Sequence, residues 1–232
     1  MGAHAGPDIN EDGLVLALDA GNAKSYPGSG NTWSDLSGNG NNFTLSGVDY
    51  NTSPNRFTFI DNQGDYILRS TTDVIGGLNQ ISCEMWMRVN TLTGAMAIFS
   101  YATTANNNEL LVFKTTTNLL ELWFGSSFVQ LAVSDSNWNT GNYIQFVFTR
   151  NGTNMKFYYD GSFVAETNSY FSGNIATGGT LAFGQEQDSP GGSFDVNQDF
   201  VGDISAIKIY NRALTENEVK QNFNATRSRF GI

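Results

Sequence analysis

The sequence predicts an all-β fold, a sandwich or jelly roll of two antiparallel sheets with one short helix near the carboxyl end. Three observations lead to this prediction. About a dozen short segments have the apolar pattern of strands, and Gly, Asn, Asp or Ser turns separate them. Aromatic residues make up 13% of the chain and charged residues only 15%, with 25 glycines among 232 residues. One domain is expected, because β-sandwiches often reach about 200–250 residues and no linker-like stretch divides the chain.

The predicted strands run from near the amino end to residue 210. Segment 81–89 shows the pattern best, because its odd-numbered residues, from Ile81 to Val89, are all apolar. This period of two places one set of side chains in the core and leaves a mixed second face. Asn151 and Gly152 predict a hairpin turn, because both residue types tolerate positive φ. The predicted strands are 14–19, 57–60, 66–69, 81–89, 95–101, 109–114, 119–124, 128–133, 143–150, 155–159, 162–166, 180–184 and 201–210.

The predicted helix begins after Thr215. Thr215 and Glu218 have the spacing of a capping box, in which the two side chains satisfy free backbone N–H groups. Val219 and Phe223 then share one face, and Leu214 can pack at the start of the helix. We expect this helix to lie on the edge of the sandwich.

A stretch rich in Asn, Gly, Ser and Thr covers residues 22–42. These residue types favour turns over regular strands. The stretch is predicted to be a long surface loop or a pair of turns, anchored by Trp33 and Leu36.

Charge and hydropathy exclude several classes of partner. The formal charge is −10, from 12 basic and 22 acidic residues, and no basic stripe is present, so we expect no nucleic-acid partner. No run of about 18 apolar residues exists, so no membrane insertion is expected. An acidic surface suits a protein that recruits divalent cations, and it is also simply a soluble surface.

The amino end lacks an apolar run of signal-peptide length. Export through a recognisable signal is therefore not expected, and release of virus particles by lysis is one route that needs none. Residues 1–12 are predicted to form an arm and residues 13–232 the domain. The chain has one cysteine, Cys83, which excludes a disulfide within the chain.

Oxygen-bearing side chains concentrate in two stretches. The first is residues 106–109, and the second runs from Glu186 through Asp188 to Asp195 and Gln198. Glu186 and Asp188 point the same way on an extended segment, and the glycines that follow allow the chain to fold back. Carboxylates gathered without a basic neighbour favour a bound cation, and Ca²⁺ prefers such oxygen ligands. A solvated acidic loop explains the same residues.

Several runs of residues closely resemble the pentraxin family. They are FSYAT at 99–103, NE at 108–109, GQEQDS at 184–189, the glycine pair 191–192 and VGDI at 201–204. The resemblance covers roughly residues 81–219. It implies a concanavalin A-like jelly roll that binds two adjacent calcium ions and presents them to phosphate-bearing or carbohydrate ligands, usually as a homo-oligomer.

The resemblance also implies a set of calcium ligands. The first ion would be held by the Asn107 and Asn108 side chains, the Gln187 backbone carbonyl, Glu186 and Asp188. The two carboxylates would bridge to a second ion, which Asp195 and Gln198 would complete. Asn107 stands where the family has Asp, and Asp195 where it has the longer Glu. We therefore expect weaker calcium affinity, or one firm ion rather than two.

Cys83 matches one half of the family's disulfide, but the expected partner strand, 143–150, contains no cysteine. A homo-oligomer is expected, whereas a pentamer does not follow from the resemblance.

The amino-terminal part resembles laminin-G-like domains in structural proteins of tailed bacteriophages. The matching residues are 13–20, 25–30, 32–33 and 35–41. This resemblance implies a calcium-binding, lectin-like structural protein on the surface of a phage virion, in contact with other virion proteins and with glycans or a host surface. One alternative is a capsid decoration or tail protein in which calcium only stabilises a loop or an interface. The other alternative is an extracellular pentraxin-like carbohydrate-binding module.

Enzymatic activity is not expected. Glucanases of this fold carry acidic residues at alternating positions on one strand, whereas segment 81–89 holds only Glu84. His4 is the one histidine and lies in the amino-terminal arm, which argues against a histidine-based triad or a zinc site. Trp86, Trp123 and Trp138 could stack on sugars if exposed, but core packing explains them better.

Overall fold

The computed structural model describes residues 8–61, 63–69, 73–92, 94–138, 141–168 and 171–232. Residues 1–7 of the predicted arm, including His4, lie outside this part of the chain. The division between arm and domain stays a prediction.

Sixteen strands and one α-helix lie in the described residues. The helix α1 is Glu216–Thr226, and short 3-10 helices cover Asp135–Asn137, Val196–Gln198 and Arg227–Phe230. The strands β1 to β16, in chain order, are Leu14–Asp19, Thr32–Trp33, Phe43–Ser46, Asp49–Thr52, Asn55–Phe59, Tyr66–Arg69, Gln80–Val89, Met96–Ala102, Leu110–Lys114, Leu119–Phe124, Ser127–Ala132, Ile144–Asn151, Asn154–Tyr159, Ser162–Asn168, Thr180–Phe183 and Gly202–Tyr210.

The strands form two antiparallel sheets of eight. Sheet A has the order β14-β13-β12-β7-β16-β5-β4, and β1 pairs with the second half of β16. Sheet B has the order β11-β10-β9-β8-β15-β6-β3-β2. Half of the fourteen strand pairings join strands that are not consecutive in the chain, as in a jelly roll. The predicted all-β jelly-roll sandwich with a carboxyl-terminal helix is confirmed.

The core lies between the two sheets, and the period of two in β7 explains how. Ile81, Cys83 and Met85 join the main buried cluster with Met87 and Val89, as the alternation predicts. Cys83 is fully buried and free. The intervening side chains of β7 lie on the outer face of sheet A, where Ser82, Glu84 and Trp86 are also buried and Arg88 is half-buried.

Helix α1 covers that outer face, whereas the sequence prediction placed it on an edge. The capping box of Thr215 and Glu218 is present. Leu214 and Val219 pack in one cluster with Val147, Tyr158 and Tyr210 of sheet A. Because these strand residues present apolar surface away from the core, the helix gains more burial on the face than on an edge. Neither α1 nor any other helix in the described part of the chain is long and apolar enough to cross a membrane.

Three strands were missed in the amino-terminal region. β2 lies within the stretch predicted as loop or turns, and β3 and β4 follow it. Trp33 is fully buried, as predicted for an anchor, but Leu36 is 37% exposed and the prediction for it was wrong. Strands this short, two to four residues long, carry too little periodicity to be recognised.

Candidate metal centre

The acidic segment after β15 folds back over the outer face of sheet B. The fold-back starts at Gly184, whose φ is +86° and where an added Cβ would lie 2.3 Å from the Phe59 ring. Only glycine adopts this conformation without strain and leaves room for the ring. The reversal carries the following residues across β15 and β8 rather than away from the sandwich.

Gln187 fixes the folded-back segment to the sheet. Its buried amide nitrogen donates to the Ser100 carbonyl at 2.9 Å and to the Thr180 carbonyl at 3.2 Å. Its amide oxygen accepts from the Thr180 hydroxyl at 2.5 Å and from the Gly191 N–H at 2.8 Å. The side chain is therefore an anchor, and only the backbone carbonyl of Gln187 is left as a candidate ligand.

Gln185 forms a second anchor two residues earlier. Its buried side chain donates to Asp199, and its amide oxygen accepts the Glu186 N–H at 3.2 Å. Asp199 in turn accepts the Gly64 N–H at 3.0 Å. Because both glutamines point into the protein, alternation along the segment turns Glu186 and Asp188 the other way.

Glu186 is the centre of the acidic cluster and is only 7% exposed. Burial, followed by the neighbouring Asp188 carboxylate, raises the pKa of Glu186 to about 7, with a smaller contribution from Asp195. A hydrogen bond with the Asn108 side chain acts in the opposite direction. The structure thus brings together four of the predicted ligands from two distant stretches of sequence, and three of them are carboxylates.

Two buried amide oxygens, on the segments that supply the cluster, have no hydrogen-bond partner within the described residues. They belong to Asn108 and Gln198. Buried acceptors without a donor are costly in proteins, and a cation satisfies them. Asp195 holds Gln198 nearby, because it caps the 3-10 helix Val196–Gln198 and accepts the Asn197 N–H at 2.9 Å.

Asn107 differs from the other predicted ligands. It is exposed, and no hydrogen bond joins it to the cluster in the described residues. Among those residues, no three His, Cys, Asp or Glu side chains are arranged to hold a metal by themselves. Amide and backbone oxygens would have to complete the coordination, as is common for Ca²⁺. The assignment of all seven residues as ligands stays a prediction.

Sequence reasoning missed the residues that support the loop. Gln185 and Asp199 were not predicted to support it. Glu109 was also missed as a support, although its carboxylate accepts hydrogen bonds from the Asn106 side chain at 3.1 Å and from the Ala176 N–H at 2.7 Å. These supports could have been found from the regular alternation of Gln and acidic residues from Gln185 to Asp188. In an extended segment, this alternation points the two amide side chains to one side and the two carboxylates to the other.

A sequence profile of the Pentaxin family matches residues 57–230. Neuronal pentraxin-2 of Cavia porcellus is 31% identical over 165 residues, which are 70% of this chain and 38% of that protein. The neuronal pentraxin receptor of Rattus norvegicus is 29% identical over 168 residues, 71% of this chain and 33% of the receptor. The chain therefore spans about a third of the length of the curated relatives it matches.

Two solved structures show the shared fold. The native heptameric SAP-like pentraxin from Limulus polyphemus superimposes with a TM-score of 0.62 and 21% identity, covering 71% of this chain and 79% of that one. The binding domain of botulinum neurotoxin DC, in complex with rat synaptotagmin II, has a TM-score of 0.68 and 15% identity, covering 93% of this chain and 52% of that one.

Proposed function

Because the chain belongs to the pentraxin family, we propose that it is a calcium-dependent, lectin-like binding module that acts outside cells. One observation carries the proposal. The fold-back at Gly184 places buried Glu186 beside Asn108, Asp188 and Asp195, and the same segments carry two buried amide oxygens, of Asn108 and Gln198, that have no donor in the described residues. This set has the character of a calcium centre, in which oxygen ligands from several loops surround the ion.

The proposed site would hold one ion firmly, through oxygens of six residues. The ligands would be the carboxylates of Glu186, Asp188 and Asp195, the amide oxygens of Asn108 and Gln198, and the backbone carbonyl of Gln187. Burial and repulsion from the other two carboxylates raise the pKa of Glu186. A bound cation would offset that repulsion. A second ion would need the exposed Asn107 or water, so we propose one firm site and a weaker second one.

The ligand would bind over the metal on the outer face of sheet B. The β10–β11 turn borders the centre, because the Gly125 N–H donates to the Asn108 carbonyl at 2.6 Å. On this hairpin, Phe128 is 45% exposed and stacks on Trp123 with ring centres 4.5 Å apart. An open calcium coordination position beside an aromatic surface suits a glycan or a phosphate-bearing ligand. Trp86 and Trp138 are buried and take no part.

The comparisons favour the extracellular alternative over the phage virion. The curated relatives named above are animal pentraxins, and they lend no support to a capsid or tail role. Association of several copies is part of the proposal, since the Limulus relative is a heptamer. A binding module of this kind has no catalytic task, in line with the sequence analysis.

Calorimetric titration with Ca²⁺ tests the proposal. We expect saturable binding by the wild type and loss of that binding in Glu186→Gln, which keeps the shape of the side chain and removes its charge. Glu166→Gln is the matched control, because Glu166 is an exposed carboxylate on sheet A. Unchanged calcium binding in Glu186→Gln would refute the site.

A glycan array probed with calcium and with chelator tests the ligand. Signals that vanish with chelator and in Glu186→Gln support the lectin-like function. Firm calcium binding with no calcium-dependent signal on glycans or phosphate-bearing ligands would leave the metal with a structural role and would contradict the binding function.

A further inference from the structure

Three buried polar side chains meet under helix α1, on the outer face of sheet A. Lys208 of β16 lies directly opposite Glu84 of β7 in the strand register, and Asn222 comes from the buried face of α1. The Lys208 amine donates to one oxygen of Glu84 at 2.7 Å, and the Asn222 amide nitrogen donates to the other oxygen at 2.7 Å. One carboxylate therefore holds an amine and a primary amide side by side.

All three side chains are withdrawn from solvent. Asn222 is completely buried, Glu84 is 1% exposed and Lys208 is 8% exposed. The Asn222 amide nitrogen also donates to the Tyr210 hydroxyl at 2.9 Å, which fixes the direction of the amide. A proton that moves along the hydrogen bond from Lys208 to Glu84 leaves an uncharged amine, which is the nucleophilic form. Because water is excluded, it does not compete for the amide or for the proton.

The Asn222 side-chain carbonyl has a donor of its own. Its oxygen accepts the backbone N–H of Asn10 at 2.7 Å. Asn10 is held in place from two sides, since its side-chain nitrogen donates to Glu218 at 2.9 Å and its side-chain oxygen accepts from Arg212 at 3.1 Å. A fixed donor at a carbonyl oxygen stabilises the negative charge that develops there when a nucleophile adds to the carbonyl carbon.

We propose that Lys208 and Asn222 form an isopeptide bond, with Glu84 as the proton carrier and the Asn10 N–H as the oxyanion donor. The Lys208 amine gives one proton to Glu84 and attacks Cγ of Asn222, which forms the Nζ–Cγ bond. Glu84 passes that proton to Nδ2, the Cγ–Nδ2 bond breaks and ammonia leaves. The new amide nitrogen then gives up its second proton through Glu84 to the ammonia, which becomes ammonium. The Glu84 carboxylate is regenerated, and the reaction needs no metal, oxidant or cofactor.

The surroundings of Lys208 suit this reaction. Lys208 lines a cavity of about 310 Å³ that Leu36 and Arg229 also line, and both of these side chains reach the surface. The cavity provides a path by which ammonia leaves. The product ties β16, the last strand of the chain, to the helix that covers it, so α1 cannot separate from sheet A without breakage of a covalent bond. The reaction does not involve the calcium centre, which lies on the other sheet.

Mass spectrometry of the whole chain, kept in chelator, tests the proposal. We expect the denatured wild type to weigh less than its sequence by one ammonia molecule. After proteolysis we expect a branched peptide in which the Lys208 and Asn222 side chains are joined. The branched peptide decides the result, because a loss of ammonia alone does not locate the bond. A wild type that is folded by circular dichroism and still gives no branched peptide after prolonged incubation would overturn the proposal.

Three variants assign the roles, in time courses that follow cell-free synthesis. Lys208→Arg keeps a positive charge beside Glu84 but lacks the attacking amine, so it should give no branched peptide. Glu84→Gln keeps both reacting groups and should form the bond about a hundredfold or more slowly, because it cannot carry a proton. Lys156→Arg is the matched control, since Lys156 forms ion pairs with Glu166 and Glu216 at a partly exposed position, and it should react like the wild type. Bond formation in Glu84→Gln at the wild-type rate would overturn the role of Glu84, and the wild-type peptide map decides the proposal even if a variant does not fold.

Discussion

Glu186→Gln should stabilise the calcium-free protein at pH 8, although it abolishes calcium binding. In the absence of metal, ionised Glu186 is buried among carboxylates, and its pKa is raised from 4.5 to about 7. A group whose pKa is raised by folding stabilises the protein below its unfolded pKa, and this stability is lost as the pH rises through the folded pKa. Glutamine stays neutral and avoids that loss.

The size of the effect follows from the same two pKa values. At about 1.4 kcal/mol for each pH unit, the difference between 4.5 and about 7 corresponds to about 3 kcal/mol at pH 8. In a chain of this size, 1 kcal/mol moves Tm by about 2–4 °C, so the variant should melt about 6–12 °C higher. Near pH 5 the advantage should fall below about 1 kcal/mol, because native Glu186 is then protonated.

Thermal unfolding followed by circular dichroism measures this effect, in chelator and in excess Ca²⁺ at pH 5 and pH 8. Calcium should raise Tm of the wild type at pH 8 and leave the variant almost unchanged, because only the wild type binds the ion. Glu166→Gln should behave like the wild type in all four conditions. A variant less stable than the wild type in chelator at pH 8 would refute the reasoning, as would an advantage that does not change with pH.

Three further predictions concern the loop, the helix and the affinity for calcium. Gly184→Ala should destabilise the protein by about 2–4 kcal/mol and weaken calcium binding, because the new Cβ meets the Phe59 ring at a positive φ. Denaturant unfolding measures the loss of stability and calorimetry the loss of calcium affinity. A variant as stable as the wild type would contradict the fold-back geometry. The Arg212 guanidinium lowers the pKa of Glu218 to about 2, so this pair stabilises above pH 4.5 and the stability is lost as the pH falls towards 2. Urea unfolding from pH 6 to pH 2 should show Glu218→Gln less stable than the wild type by about 1–2 kcal/mol at pH 6, after allowance for solvent screening, and equal to it near pH 2; a constant difference would contradict this. Asn107→Asp should tighten calcium binding about three- to tenfold in calorimetry, because it adds a charge beside the centre, and unchanged affinity would place residue 107 too far from the ion to matter.

The sequence was sufficient for the longer strands that supply most of the core, but not for the short strands β2 and β3, which add Trp33 and Phe43 to it. In β7, side chains of one parity fill the main cluster as the period of two predicts, and a capping box correctly located the start of α1. Local patterns such as these report on the few residues that form them. They do not report on which distant surface will cover an element, and for this reason the helix was placed on an edge although it packs on the face of sheet A.

The sequence predicted which residues form the acidic cluster, but not the contacts that hold the cluster in place. Glu186, Asp188, Asp195 and Asn108 come together as expected, because the resemblance to pentraxins names their positions. The supports of the loop, such as the Gln187 amide in contact with Ser100 and Thr180, depend on contacts across two strands that no local pattern reveals. A polar residue such as glutamine in a loop is ordinarily taken for a solvated one.

The burial of Gln187 also has an entropic consequence. Its hydrogen bonds to strand backbone order the segment when the protein folds, before any ion arrives. Ordering a residue costs about 1–2 kcal/mol of backbone entropy, and a disordered loop would incur that cost at the moment of binding. In this protein the cost falls on folding, so the proposed calcium ion would meet a preorganised site and more of its interaction energy would remain as affinity.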